Sequence, residues 1–169
     1  MTVKARDARY ETIISAAHSL LKPQGYTKAA ARLRKGVDGN FAVVQFQKSA
    51  WSSGDCFKFT VNFAVVSSRL ARENGEDAAR IFDEARGHAR ARIGTFGAPP
   101  ADIWWTINAD DDVDRVIPEV MSLLVIGADY FQSQASDQAL ARLWELENGP
   151  GAPPGAMLLR REISTMVQA

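Results

Sequence analysis

A chain of 169 residues with 46% apolar and 24% charged side chains is sized and composed for one globular domain. Such a domain buries roughly 70% of the surface its unfolded chain exposes, so its core needs no metal or disulfide staple. The lone cysteine, Cys56, excludes an intramolecular disulfide, and no apolar run approaches the roughly 18 residues of a membrane span.

Charge is balanced overall but unevenly spread. Residues 1–60 carry ten Lys/Arg against four Asp/Glu, whereas residues 100–169 carry four against eleven. The basic half could serve nucleic acid. The pI near 6.7 lies far below the basic range of such binders, so nucleic acid is not the expected partner. The N-terminal residues Met1 to Asp7 lack the apolar core of a secretory leader. A cytoplasmic location is therefore the expectation.

In chain order, Ala5 to Lys22 reads as an amphipathic helix. Tyr10, Ile13, Ile14, Ala17, Leu20 and Leu21 recur at the spacing of one buried face, and Pro23 and Gly25 stop it. Tyr26 to Lys35 reads as a strand, closed into a hairpin by the turn residues Gly36 to Asn40. Phe41 to Ser49 forms the next strand, followed by a turn at Ser52 to Asp55. Cys56 to Ser67 has the clearest two-residue period. Phe57, Phe59, Val61, Phe63 and Val65 point one way, and Lys58, Thr60 and Asn62 the other. That pattern belongs to an antiparallel sheet with one packed and one wet face.

Residues 68–88 read as short helical or irregular segments, with a stripe of Ala78, Ile81, Phe82 and Ala85. Ala91 to Phe96 and Ile103 to Asn108 read as two more strands around the loop Gly97 to Pro100. Asp111 can cap a helix reaching Gln134, with Pro118 confined to its first turns or kinking it. Ser136 to Asn148 reads as a further helix. The expected fold is α+β, a mostly antiparallel sheet of about five strands packed on one face by helices. Residues 1–148 form the domain, 149–155 a Gly/Pro linker, and 156–169 a helical arm. The arm's apolar residues Met157, Leu158, Leu159, Ile163, Met166 and Val167 need a surface, either this domain's own or that of a second copy, with a homodimer favoured.

Several stretches together carry a resemblance. They are Leu21-Lys22-Pro23-Gln24-Gly25-Tyr26-Thr27-Lys28, Val43-Val44-Gln45-Phe46-Gln47-Lys48-Ser49, Phe59-Thr60-Val61-Asn62-Phe63-Ala64-Val65, Arg92-Ile93-Gly94 and the pair Trp104-Trp105. Their order and spacing over roughly residues 10–130 resemble a bacterial family catalogued as Domain of Unknown Function 4304. The resemblance implies an α+β fold and brings no activity. After Lys28 the chain departs from it, with Ala29-Ala30-Ala31 standing where basic or glycine residues are expected.

The candidate site lies on the strands. Gln45, Gln47, Lys48, Lys58, Thr60, Asn62 and Arg92 are polar at positions that ordinarily favour β-branched and aromatic residues. Antiparallel pairing can gather them into a patch of amide and cationic donors suited to an anionic or peptide partner. The alternative is an ordinary solvated face. Trp104 and Trp105 must split across their strand, one into the core, while the other is either a stacking platform or, like the first, covered by helices. Asp110 to Asp114 fails as a calcium loop, because Arg115 sits where glycine is needed and Met121 where a bidentate Glu belongs. His18 and His88 have no ligand-spaced partner, and Cys56 reads as a small hydrophobe. No metal or other cofactor is called for.

The reading is a non-catalytic binding or interaction module that holds a protein or small anionic ligand through Gln45, Gln47, Lys48, Asn62, Arg92 and Trp104. Two alternatives stand beside it. One is a small hydrolase- or transferase-type enzyme with Asn62, Arg92, Lys48 and His88 converging. The other is single-stranded nucleic-acid binding through the basic half and an exposed tryptophan.

Overall fold

The computed structural model describes residues 3–50, 52, 56–81, 84–108 and 113–145. The linker 149–155, the arm 156–169, the turn residues Ser53 to Asp55, Phe82 and the aspartates Asp110 to Asp112 lie outside the described residues.

Helix α1 (Val3–Leu21) is followed by the hairpin strands β1 (Thr27–Ala29) and β2 (Arg32–Val37), then β3 (Asn40–Lys48) and β4 (Phe57–Val66). A short helix α2 (Ser68–Glu73) and two 3-10 turns lead to β5 (Ala89–Arg92) and β6 (Trp105–Ile107), and helices α3 (Val113–Ser133) and α4 (Asp137–Glu145) complete the described chain. The sheet is antiparallel throughout, in the order β1-β2-β3-β4-β5. Strand β6 shares the same edge of β4 as β5, taking Phe57 to Phe59 while β5 takes Asn62 to Val65. The fold is therefore the expected α+β class, with a sixth short strand.

The two-residue period of β4 sets the architecture. Phe57, Phe59, Val61, Phe63 and Val65 are fully buried in a core shared with Ile13, Ile14 and Ala17 of α1, Val120, Leu124 and Phe131 of α3, and Trp144 of α4. Aromatic contacts knit this layer: Phe63 stacks on Phe131 at 5.6 Å and Phe59 on Trp105 at 5.4 Å. Helix α3 approaches the sheet at Gly127, where a Cβ would lie 2.3 Å from the Phe63 ring. Pro118 sits in the second turn of α3, where its missing N–H forfeits one helical bond.

The opposite face is covered by a second small cluster at one end. There Val43, Ala64, Val66, Ala71, Ala78 and Ile81 pack against Phe41. Arg34 ties it down, its guanidinium 3.4 Å from the Phe41 ring centroid and donating to the Ala79 carbonyl at 2.6 Å.

Four expectations need correction. Tyr26 to Lys35 is not one strand: Ala30, at φ 52°, and Ala31 form a two-residue loop that folds β1 onto β2. Ala91 to Phe96 is not one strand either. The chain leaves the sheet after Arg92 and coils through Ile93–Phe96, because the Gly94 carbonyl accepts the N–H groups of Ala101 and Gly97. Any Cβ at Gly94 would lie 1.8 Å from the Ala101 oxygen. The stripe from Ala78 to Ala85 is two separate 3-10 turns, Ala78–Arg80 and Glu84–Arg86. Leu20, assigned to the buried face of α1, is 39% exposed. By contrast the hairpin at Asp38-Gly39 closes as expected, with both residues at positive φ (48° and 79°), the signature of a type I′ turn.

Candidate functional site

Beyond the small cluster, the open face is polar, and strand register sets its composition. Arg32 pairs with Gln45, Gln45 with Asn62, and Asn62 with Arg92. One transverse row across four strands thus reads Arg, Gln, Asn, Arg. The next row along places Gln47 opposite Thr60, and Lys58 lies opposite Thr106. Strand positions on this face include Arg32, Arg34, Lys58, Arg90 and Arg92 and no carboxylate. With adjacent strands about 4.8 Å apart, the row is about 14 Å long.

The hydrogen bonds converge on β3 from both sides. Arg92 Nε donates to Asn62 Oδ1 at 3.4 Å, Asn62 Nδ2 donates to Gln47 Oε1 at 2.7 Å, and Arg32 Nε donates to Gln45 Oε1 at 3.4 Å. A guanidinium can only donate, so it sets the orientation of the Asn62 amide, which in turn sets that of Gln47. The amide oxygens of Asn62, Gln47 and Gln45 each accept from a neighbouring donor. Asn62 is buried, whereas Gln45, Gln47, Arg32 and Arg92 are half-buried. Half-buried Arg32 and Arg92 and exposed Lys58 give this face its cationic N–H donors.

One end of the row is closed by a loop. Held by Gly94, it returns Asp102 to Arg92, with Nη1 to Oδ1 at 2.6 Å. Trp104 Nε1 donates to the other carboxylate oxygen of Asp102 at 3.1 Å, and the Arg92 guanidinium lies 5.1 Å from the Trp104 ring centroid. The Arg92 guanidinium, assisted by the Trp104 indole, holds the Asp102 carboxyl below the usual carboxylate range. Thr60 fixes the loop from beneath by donating to the Ile103 carbonyl at 2.9 Å.

The fold gathers Gln45, Gln47, Asn62, Arg92 and Trp104 on this face. It does not bring Lys48 there: Lys48 pairs with Phe59 on the helical face, its Nζ 4.3 Å from the Tyr10 ring centroid. The two-residue alternation separates it from Gln47. Trp104 and Trp105 split as expected, Trp105 into the core and Trp104 half-buried, but the outer indole already carries Arg92. His88 is also elsewhere. Its Nδ1 accepts the Ser67 backbone N–H at 3.0 Å at the far end of β4, beside the bonds that link Ser67 and Asn40 to Asp137. Asn62, Arg92, Lys48 and His88 thus do not converge. Sequence reasoning missed Arg32 and Asp102. Arg32 was hidden by the unrecognised β1–β2 loop, and Asp102 by a loop whose return to Arg92 has no sequence period.

The fold and this face define an α+β protein with a one-sided antiparallel sheet and a cationic, amide-rich open surface. The chain belongs to the family described as a domain of unknown function (DUF4304), which matches residues 17–133 and so takes in the row, the loop and all of α3. No curated protein and no solved structure matches the chain. Among the described residues no helix is long and apolar enough to cross a membrane, and no group of three or more His, Cys, Asp or Glu could hold a metal ion.

Proposed function

We propose that the chain is a binding module whose open sheet face holds an anionic group, carried by a protein or a small ligand. The observation that carries this reading is the transverse row Arg32, Gln45, Asn62 and Arg92, on a sheet face whose strand positions carry Arg34, Lys58 and Arg90 as well and no carboxylate. Guanidinium and amide groups hold their protonation states through the neutral range, so the row is equipped to bind and orient rather than to transfer protons.

The test is a titration followed by amide and side-chain NMR shifts, using hexaglutamate and inorganic pyrophosphate as probes. Saturable shifts at Gln47 and Arg92, lost on Asn62→Asp, are the expected result. That substitution keeps the side-chain shape and places a carboxylate in the row. A folded wild type with no saturable shift for either probe, or shifts indifferent to Asn62→Asp, overturns the reading.

The same reading puts the protein in the bacterial cytosol. Its sequence further motivates a homodimer through residues 156–169, whose apolar residues need a surface to cover them. Light scattering on the full chain decides this. A dimer is expected, and a monomer at high micromolar concentration overturns it.

A further inference from the structure

Asp102 is a carboxylate of this chain already seated at one end of the donor row. Its side chain is 63% exposed, and its described partners are Arg92 Nη1 and Trp104 Nε1. Arg92 is itself 38% exposed on its side chain. An ion pair so open to water is weak and exchangeable. At the other end Arg32 donates through Nε to Gln45 and has no carboxylate partner among the described residues. The row is thus asymmetric: one guanidinium is capped from within and the other is uncapped.

We propose that the row binds an extended acidic peptide segment and that Asp102 is its built-in competitor, occupying at Arg92 the place of one peptide carboxylate. The proposal rests on the anion-binding reading above and assigns it a ligand class. Asp102 shows what this end accepts, a side-chain carboxylate taking one N–H from a guanidinium and one from an indole. About 14 Å separate the two ends, the reach of four extended residues at about 3.3 Å each. A peptide with carboxylates spaced by that distance engages Arg92 in place of Asp102 and Arg32 directly, while the half-buried Gln47 amide donates to its backbone. Because displacement of Asp102 is part of binding, removing its charge raises the apparent affinity.

The experiment uses the full chain and hexaglutamate, with pyrophosphate as the phosphate counterpart, and follows the Trp104 indole N–H by NMR. In the wild type, saturation with peptide shifts the indole signal, since its acceptor changes. Asp102→Asn, which keeps the shape and the hydrogen-bond acceptor, tightens peptide binding by about two- to fivefold, the scale a surface ion pair supports. Arg92→Ala abolishes binding, and Arg32→Ala weakens it with the Trp104–Asp102 signal of the free protein unchanged. Wild-type-like amide spectra establish that each variant is folded.

Peptide binding that Asp102→Asn leaves equal or weakens overturns the competitor while leaving the anion-binding reading standing. Pyrophosphate bound in preference to hexaglutamate overturns the carboxylate assignment. Peptide binding indifferent to Arg32→Ala overturns the two-ended row. Absence of binding by either probe to folded wild type and Asp102→Asn overturns both the proposal and the reading beneath it.

Discussion

The environment of His88 turns a single side chain into a pH-dependent strut. Burial holds its pKa below the ordinary histidine value, against the opposing pull of Glu76 and Asp137. Its unprotonated Nδ1 accepts the Ser67 N–H at the start of α2. The unfolded chain therefore binds a proton at higher pH than the folded one. The contribution of His88 is complete above about pH 6.5, falls as pH drops below that value, and is gone once pH passes the folded pKa. Urea unfolding at pH 7.5 and 5 should show a loss of stability on acidification that is smaller in His88→Asn; equal losses would count against this role. Phe59 makes the second residue-scale prediction. Fully buried between Phe46, Phe57, Trp105 and Tyr10, it should cost about 3–5 kcal/mol when truncated to Ala, through transfer loss plus cavity. A cost under 1 kcal/mol in the same urea experiment would contradict the packing.

Among the elements, the β1–β2 hairpin and the α3–sheet contact carry opposite consequences for the same pair of residue types. Ala30 is a non-glycine residue held at φ 52°, where its Cβ crowds the backbone. Ala30→Gly should stabilise the protein by up to about 1 kcal/mol, a rise in the urea midpoint at unchanged slope. Gly127 is the reverse case. Alanine is the better helix former by about 1 kcal/mol, yet its methyl would meet the Phe63 ring, which is locked against Phe96 and Phe131. Gly127→Ala should therefore destabilise by about 1–3 kcal/mol, and a gain in stability would show that α3 can lift away from the sheet. The three consecutive alanines of the hairpin contain no turn residue, which is why a turn there was not legible. Asp38-Gly39 was legible because its residue types are those a type I′ turn requires.

For the whole molecule, charge is organised by topology. Arg32, Lys58, Arg90 and Arg92 come from three stretches of chain and meet on one sheet face of a protein whose formal net charge is zero. An anion bound there interacts with a local field, so its affinity should fall steeply as salt rises from 0.02 to 0.5 M, the range over which the Debye length shrinks from about 20 to 4 Å. Hexaglutamate affinity measured across that range tests it, and salt-independent binding would point to a contact that is not electrostatic.

The division between local and tertiary information follows from these cases. Alternation over Phe57 to Val65 sufficed to set the face of β4 that packs, and with it the α+β class, because side-chain period is a property of the strand itself. The same alternation put Asn62 on the other face before any partner was known. Which residues stand beside Asn62 is a matter of register, decided by the Asp38-Gly39 turn and by how β4 divides its edge between β5 and β6. Lys48 is excluded by the alternation itself and not by register: adjacent to Gln47 in sequence, it lies across the sheet from it. Asp102 could be found only once the Gly94 loop was folded back, since ten residues of chain separate it from the arginine it caps. Local chemistry thus determined which groups are polar on strands, whereas the tertiary structure alone decided that they form one transverse row with its own carboxylate at one end.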